Sequence, residues 1–120
     1  MGLDLTLLPF YSEDMEIPFS HDVIQLSRNY ELFDIINAVE KQFGRDVPEN
    51  FTSYVSRDDK YEDIHYGITA TTSYGDSLKY VKAKDLWKVM GFENLSWRNK
   101  AVIAYLRELP ENLNIALYWH

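Results

Sequence analysis

The 120-residue chain contains no cysteine. That removes disulfides, thiolate nucleophiles and every cysteine-based zinc or iron–sulfur site, and it suits a reducing cytoplasm. Glycine and proline are scarce, at five and four residues, which excludes collagen-like and low-complexity chains. No apolar run approaches the roughly 18–20 residues of a membrane-spanning helix, so no membrane partner is expected. A secretory signal is not expected either: there is no basic start, and Asp4 and Pro9 interrupt the first apolar stretch. Residues 1–6, MGLDLT, fit the loose N-myristoylation pattern. A short strand with that spelling is the simpler reading. Phosphate loops of the GxxxxGK[ST] and GxGxxG types are absent, as is a GxSxG elbow.

Basic charge is also in deficit, with 12 Lys and Arg against 19 Asp and Glu, for a net charge of −7. The deficit is uneven. Residues 1–78 carry −10 and residues 79–107 carry +5, the latter from Lys79, Lys82, Lys84, Lys88, Arg98, Lys100 and Arg107 against Asp85 and Glu93. A plain account is that these cations coat two surface helices. The alternative is that they mark where an anion sits. An acidic chain of this kind is not expected to bind duplex DNA directly.

What is present reads as one α+β domain over residues 1–120. Its size allows a single core. Leu3, Leu5 and Leu7 alternate with Asp4 and Thr6 as a strand ended by Pro9. Residues 22–26 are a second candidate strand. The spacing of Leu32, Ile36, Val39 and Phe43 predicts a helix over 29–43, capped by Ser27 or Asn29 and closed by Gly44. A long connection follows, with a candidate short strand at 51–55. Residues 64–71 alternate, 73–77 are turn-rich, and 78–83 return as the partner strand of a hairpin. A short helix over 83–90 packs Leu86, Val89 and Met90. Ser96 caps another from Trp97 to Leu109, with Val102, Tyr105, Leu106 and Leu109 as its stripe. Residues 113–119 form a last strand. Terminal strands fray unless a sheet holds them. The first and last strands are therefore expected inside a mainly antiparallel sheet, with about three helices on one face.

Catalytic chemistry has little support. His21, His65 and His120 fall in different elements and read as ordinary surface histidines. The cluster Asp58, Asp59, Glu62 and Asp63 lacks the spacing and glycine turn of a calcium loop. No enzyme activity, metal or cofactor is expected. Aromatic content is the strongest signal, with nine Tyr, six Phe and three Trp. Phe33, Phe43 and Trp119 read as core. Tyr66, Tyr74 and Tyr80 cluster around the hairpin beside Lys79, Lys82 and Lys84, and Trp97 precedes Arg98. Flat rings and cations are what a base and its phosphates need. The plain alternative is tyrosine packing at a sheet edge. Strand alternation sets Tyr80 and Lys82 on one face and Lys79 on the other.

The segments MGLDLTLLPF, YGITATTSYGDSLKYVKAKDL and NKAVIAYLRELPENLNIALYWH resemble small accessory proteins of tailed phages and prophages. The resemblance spans most of the chain. It implies expression in a bacterial host cytoplasm, which makes myristoylation moot, and it brings no catalytic motif. Two readings follow. In the first, a counter-defence protein captures a small anionic nucleotide-like ligand through Tyr66, Tyr74, Tyr80, Lys82, Lys84, Trp97 and Arg98. In the second, an acidic inhibitor covers a host defence protein or mimics nucleic acid, with Asp58, Asp59, Glu62 and Asp63 as its contact. A homo-oligomer is compatible with ligand capture, because small domains often build pockets at interfaces.

Overall fold

The computed structural model describes residues 3–11, 19–20, 23–48, 51–56, 64–68, 71–72, 74–91 and 95–120. Of residues 11, 19–20, 52–56 and 64–68 it describes the backbone only. Its strands are β1 (Leu5–Tyr11), β2 (Phe19–Ser20), β3 (Ile24–Gln25), β4 (Arg45–Asp46), β5 (Thr52–Ser56), β6 (Ile64–Ile68), β7 (Lys79–Lys82) and β8 (Asn114–Trp119). Its helices are α1 (Tyr30–Phe43), α2 (Ala83–Trp87) and α3 (Trp97–Glu108). They make an α+β fold around one sheet of order β4-β7-β8-β1-β2-β5-β6, with β3 also pairing β1. All these pairings are antiparallel except β2 with β5. The first and last strands are neighbours at its centre, in register from Leu5 opposite Trp119 to Phe10 opposite Asn114.

The expectation that Pro9 ends the first strand is corrected, because β1 runs through it to Tyr11. Asp4 and His120 exchange both backbone hydrogen bonds, at 2.7 and 2.9 Å. In that register the even residues of β1 bond toward β8 and the odd ones bond away from it. Leu26 N–H donating to the Leu5 carbonyl agrees. The nitrogen of Pro9 therefore points away from β8. On that side β3 pairs only Thr6 and Leu7, and β2 pairs only Phe10 and Tyr11. A missing N–H is tolerated in that gap.

Alternation along the central strands sorts the core into two layers. Leu5, Leu7, Val81, Ile115, Leu117 and Trp119 face all three helices. Helix α1 supplies Leu32, Phe33, Ile36 and Val39 to this layer, α2 supplies Ala83 and Leu86, and α3 supplies Val102, Ile103 and Leu106. The opposite face is also closed. Leu8, Phe10 and Ala116 lie under Val47, Phe51 and Leu78, and Phe10 meets Phe51 edge-on at 4.7 Å between ring centres.

Both long helices start where a side chain replaces a missing partner. The Leu32 N–H donates to the Asn29 side chain at 3.0 Å, and the Asn99 N–H to the Ser96 hydroxyl at 3.2 Å. Gly44 ends α1, as expected, but not through left-handed backbone: its φ is −65°. Glycine is needed there because a Cβ would come within 2.3 Å of the Glu40 carbonyl oxygen. Asn99 lies outside the expected stripe of α3, yet it is 1% exposed. Its amide accepts from Ser27 N–H and donates to the Ser27 carbonyl, at 2.8 and 3.1 Å. One side chain thus ties α3 to the segment leading into α1. Phe43 and Val89 are corrections to the expected stripes, since both are exposed. Phe43 is the last residue of α1, and Val89 lies two residues beyond the end of α2.

The expected hairpin between 64–71 and 78–83 does not form. Strand β6 pairs β5, while β7 has β8 on one side and β4 on the other. Among the described residues, a lone bridge, Thr71 to Ser77, is what links this stretch of chain. The turn between them closes on itself, with Thr72 N–H donating to the Asp76 carbonyl and Gly75 N–H to the Thr72 carbonyl. Gly75 has φ +86°, which glycine adopts without strain.

Two outcomes test this description. Ile36→Ala or Leu106→Ala should lower unfolding free energy by about 2–5 kcal/mol in urea titrations, because both side chains are fully buried. The second concerns the seam where the chain ends meet. Arg28 pairs with Asp4 at 2.8 Å, and its hydrogen bonds hold the Asp4 carboxyl below its usual range. That contribution is complete above the ordinary carboxylate pKa and is lost as pH falls through the lowered native one. Asp4→Asn should therefore flatten part of the stability decline between about pH 5 and pH 2, followed as the urea midpoint.

Candidate ligand cleft

The short strand β4 shapes one edge of the sheet. It pairs only Lys79 and Tyr80 of β7, so among the described residues Val81 and Lys82 have no strand partner on that side. Helix α1 ends above this gap, and α2 begins at its far side. The result is a cleft of about 240 Å³ lined by Phe43, Arg45, Tyr80, Val81, Lys82 and Asp85. Phe43 is 49% exposed. Tyr80 is braced edge-on by Phe10 at 5.4 Å. Lys82 is held by donating through Nζ to the Asn114 carboxamide oxygen at 2.6 Å. The cleft therefore combines an exposed ring, a braced ring, two cations and one carboxylate. Flat apolar contact and attraction for an anion are both available, and Asp85 supplies an acceptor for an N–H group.

Of the residues read from sequence as ligand-binding, Tyr80 and Lys82 meet in this cleft. Lys79 does not line the cleft and pairs with Asp46 instead. The rest are dispersed. Tyr66 lies on β6, with β8, β1, β2 and β5 between it and β7, and it stands opposite Tyr54. Tyr74 lines a different cleft, against α1. Lys84, Trp97 and Arg98 do not line the Tyr80 cleft. Trp97 is 80% exposed at the start of α3, and Arg98 donates through Nε to the Gln25 carbonyl at 2.8 Å. The proposed three-tyrosine cluster is therefore corrected: it depended on a hairpin whose two strands each pair elsewhere.

Three contributors were missed. Phe43 fits the apolar stripe of α1 and reads as core, yet it is the last residue of the helix and 49% exposed, while Leu32, Phe33, Ile36 and Val39 of the same stripe are buried. Arg45 and Asp85 carry no sequence signal, because the pairing of β4 with β7 brings them together. Asp58, Asp59, Glu62 and Asp63, the contact set of the inhibitor reading, lie outside the described residues, as does His21. Of His65 only the backbone is described. His120 is half-buried and shares a 2.8 Å hydrogen bond with the Thr6 hydroxyl, so it serves the seam. Among the described residues, no group of three or more His, Asp or Glu could hold a metal ion, and no helix is long and apolar enough to cross a membrane.

Comparison of the chain with protein-family models, with curated protein sequences and with solved structures finds no match.

The two lysines of β7 should behave differently. Lys79→Ala removes one half of an exposed pair and should shift stability by less than about 0.5 kcal/mol. Lys82→Ala leaves the buried Asn114 oxygen without its lysine donor and should cost more, on the order of 1–3 kcal/mol. Denaturant titration of both variants measures the contrast.

Proposed function

We propose that this protein is a tailed-phage accessory protein that binds a small anionic, nucleotide-like ligand and withholds it, without turnover, from a bacterial immune receptor. The observation that carries the reading is the meeting of Phe43, Arg45, Tyr80 and Lys82 around one cleft. A base stacks on the exposed Phe43 ring while the cations of Arg45 and Lys82 attract phosphate. Stoichiometric capture of this kind needs no nucleophile or metal. Small phage products resembling this chain belong in the host cytoplasm, where such signals act.

The cleft, at about 240 Å³, falls below the roughly 300 Å³ at which small-molecule pockets usually begin. It holds one base with its sugar or phosphate. A dinucleotide would need a wall from a second copy, which is how a homo-oligomer enters this reading.

Isothermal titration against a panel of cyclic and linear nucleotides tests it, with stoichiometry read alongside affinity. Phe43→Ala should cost about 1–3 kcal/mol of binding, the range for one stacked base. Arg45→Ala should weaken binding less as salt rises. No affinity tighter than about 1 mM, near −4 kcal/mol, for any member of the panel would overturn ligand capture. It would favour the inhibitor reading, which rests on the −10 charge of residues 1–78. Neutralising Asp58, Asp59, Glu62 and Asp63 together would then slow association with a basic host protein.

A further inference from the structure

A second cleft, also about 240 Å³, opens between α1 and the turn that leads into β7. One wall is a single helical stripe, Tyr30, Asp34, Asn37 and Glu40, at the spacing that puts side chains on one face. The other wall is the turn, with Tyr74 and Asp76 flanking Gly75. The floor is aromatic. Phe33 meets Trp119 edge-on at 5.8 Å and Tyr30 edge-on at 6.3 Å. Tyr30 and Tyr74 are the exposed rings, at 53% and 47%, one from each wall.

The charge of this cleft is opposite to that of the Phe43 cleft. Asp34, Glu40 and Asp76 line it, and no Lys, Arg or His does among the described residues. Glu40 is fixed by accepting from Trp119 Nε1–H at 2.9 Å, while Asp34 and Asp76 are exposed to solvent at the two rims. The neighbouring cation, Arg28, lies outside the lining; it donates to Asp4 through Nε and Nη2 and also makes a side-chain hydrogen bond with Tyr30. A bare metal ion would find rings where it needs six or more oxygens. An organic cation uses both features: ring faces attract an ammonium or guanidinium group, and carboxylates at the rim pair with it. At a water's share of roughly 30 Å³ each, the space equals about eight waters, which suits a short aliphatic chain with a charged head.

We infer that the cleft between α1 and the Thr72–Ser77 turn is a binding site for an organic cation, an alkylammonium or alkylguanidinium group held between Tyr30 and Tyr74 and paired with Asp34 and Asp76. The same chemistry comes from two sources, a free amine or guanidine and the side chain of a Lys or Arg on another protein. The site is independent of the Phe43 cleft, since no residue lines both.

The test is titration of the full chain, followed by NMR shifts and calorimetry, with agmatine, the peptide Gly-Arg-Gly, neutral butylurea and Mg²⁺ as probes. Agmatine or the peptide should bind one to one, butylurea and Mg²⁺ should not bind in this cleft, and the tighter of the first two identifies the source. Tyr74→Leu and Asp76→Asn should each weaken binding about five- to thirtyfold, the range of a cation–π or charge-assisted contact. Lys100→Ala, on the exposed side of α3, should leave it unchanged. Both site substitutions are at exposed turn positions, and Asp76→Asn keeps the shape of its side chain if Tyr74→Leu disturbs the turn. Absence of saturable binding by either cation below about 10 mM, or near −3 kcal/mol, overturns the proposal. So does an affinity that neither variant changes.

Discussion

Everything in this fold hangs on the pairing of β1 with β8. Six consecutive residues of each strand are in register, and both faces of the ribbon they form are buried. Backbone groups in such a place have no water to turn to, so each must find its partner in a neighbouring strand. The seam at Asp4 and His120 sets which residues of β1 face β8. That choice leaves Pro9 harmless, and it sends Leu5 and Leu7 to the helices and Leu8 and Phe10 to the smaller layer. A slip by one residue would exchange the two layers. The helical layer could not accept that exchange, because its partners are fixed by three helices at once.

The two clefts are consequences of where regular structure stops. Strand β4 is two residues long, so the edge of β7 loses its cover just where α1 ends and α2 begins. The other cleft exists because backbone hydrogen bonds from Thr72 to Asp76 and from Gly75 to Thr72 hold Tyr74 and Asp76 against α1. Helix α1 contributes to both sites, Phe43 alone to the first and five lining residues to the second. The helix presents Phe43 at its last turn and the Tyr30 stripe along its flank, and these surfaces carry opposite charge environments.

Elements whose signal is local were legible in the sequence. The periodicity of α1, the caps at Asn29 and Ser96, and the alternation of the terminal strands each depend on residues a few positions apart. The central place of both terminal strands followed from their apolarity. The separate pairings of β6 with β5 and of β7 with β8 and β4 were not legible, because neighbours in sequence pair only when neither strand has a better partner elsewhere. Here β8 and β4 take both edges of β7. The fate of Phe43 was hidden for a related reason: periodicity tells which way a side chain points, but not how far the surface beneath it extends. The candidate site was therefore half visible. Tyr80 and Lys82 share a face by simple alternation, whereas Arg45 and Asp85 arrive through strand pairing and helix placement.

The central pairing also bears on how the chain is made. Thr6 and His120, 114 positions apart, touch across the seam. Translation proceeds at about 5–20 residues per second, so β1 waits roughly 5–20 seconds after leaving the ribosome before β8 exists. During that interval Leu5, Leu7, Leu8 and Phe10 form a strand with a bare edge on the side reserved for β8. Such edges recruit whatever strand is nearby, including the same segment on a neighbouring nascent chain. Neighbouring nascent chains on one polysome are exposed to that encounter. The interval is one in which a chaperone that masks extended apolar segments would raise the yield of folded protein, and its depletion would show first as aggregation seeded by residues 5–10.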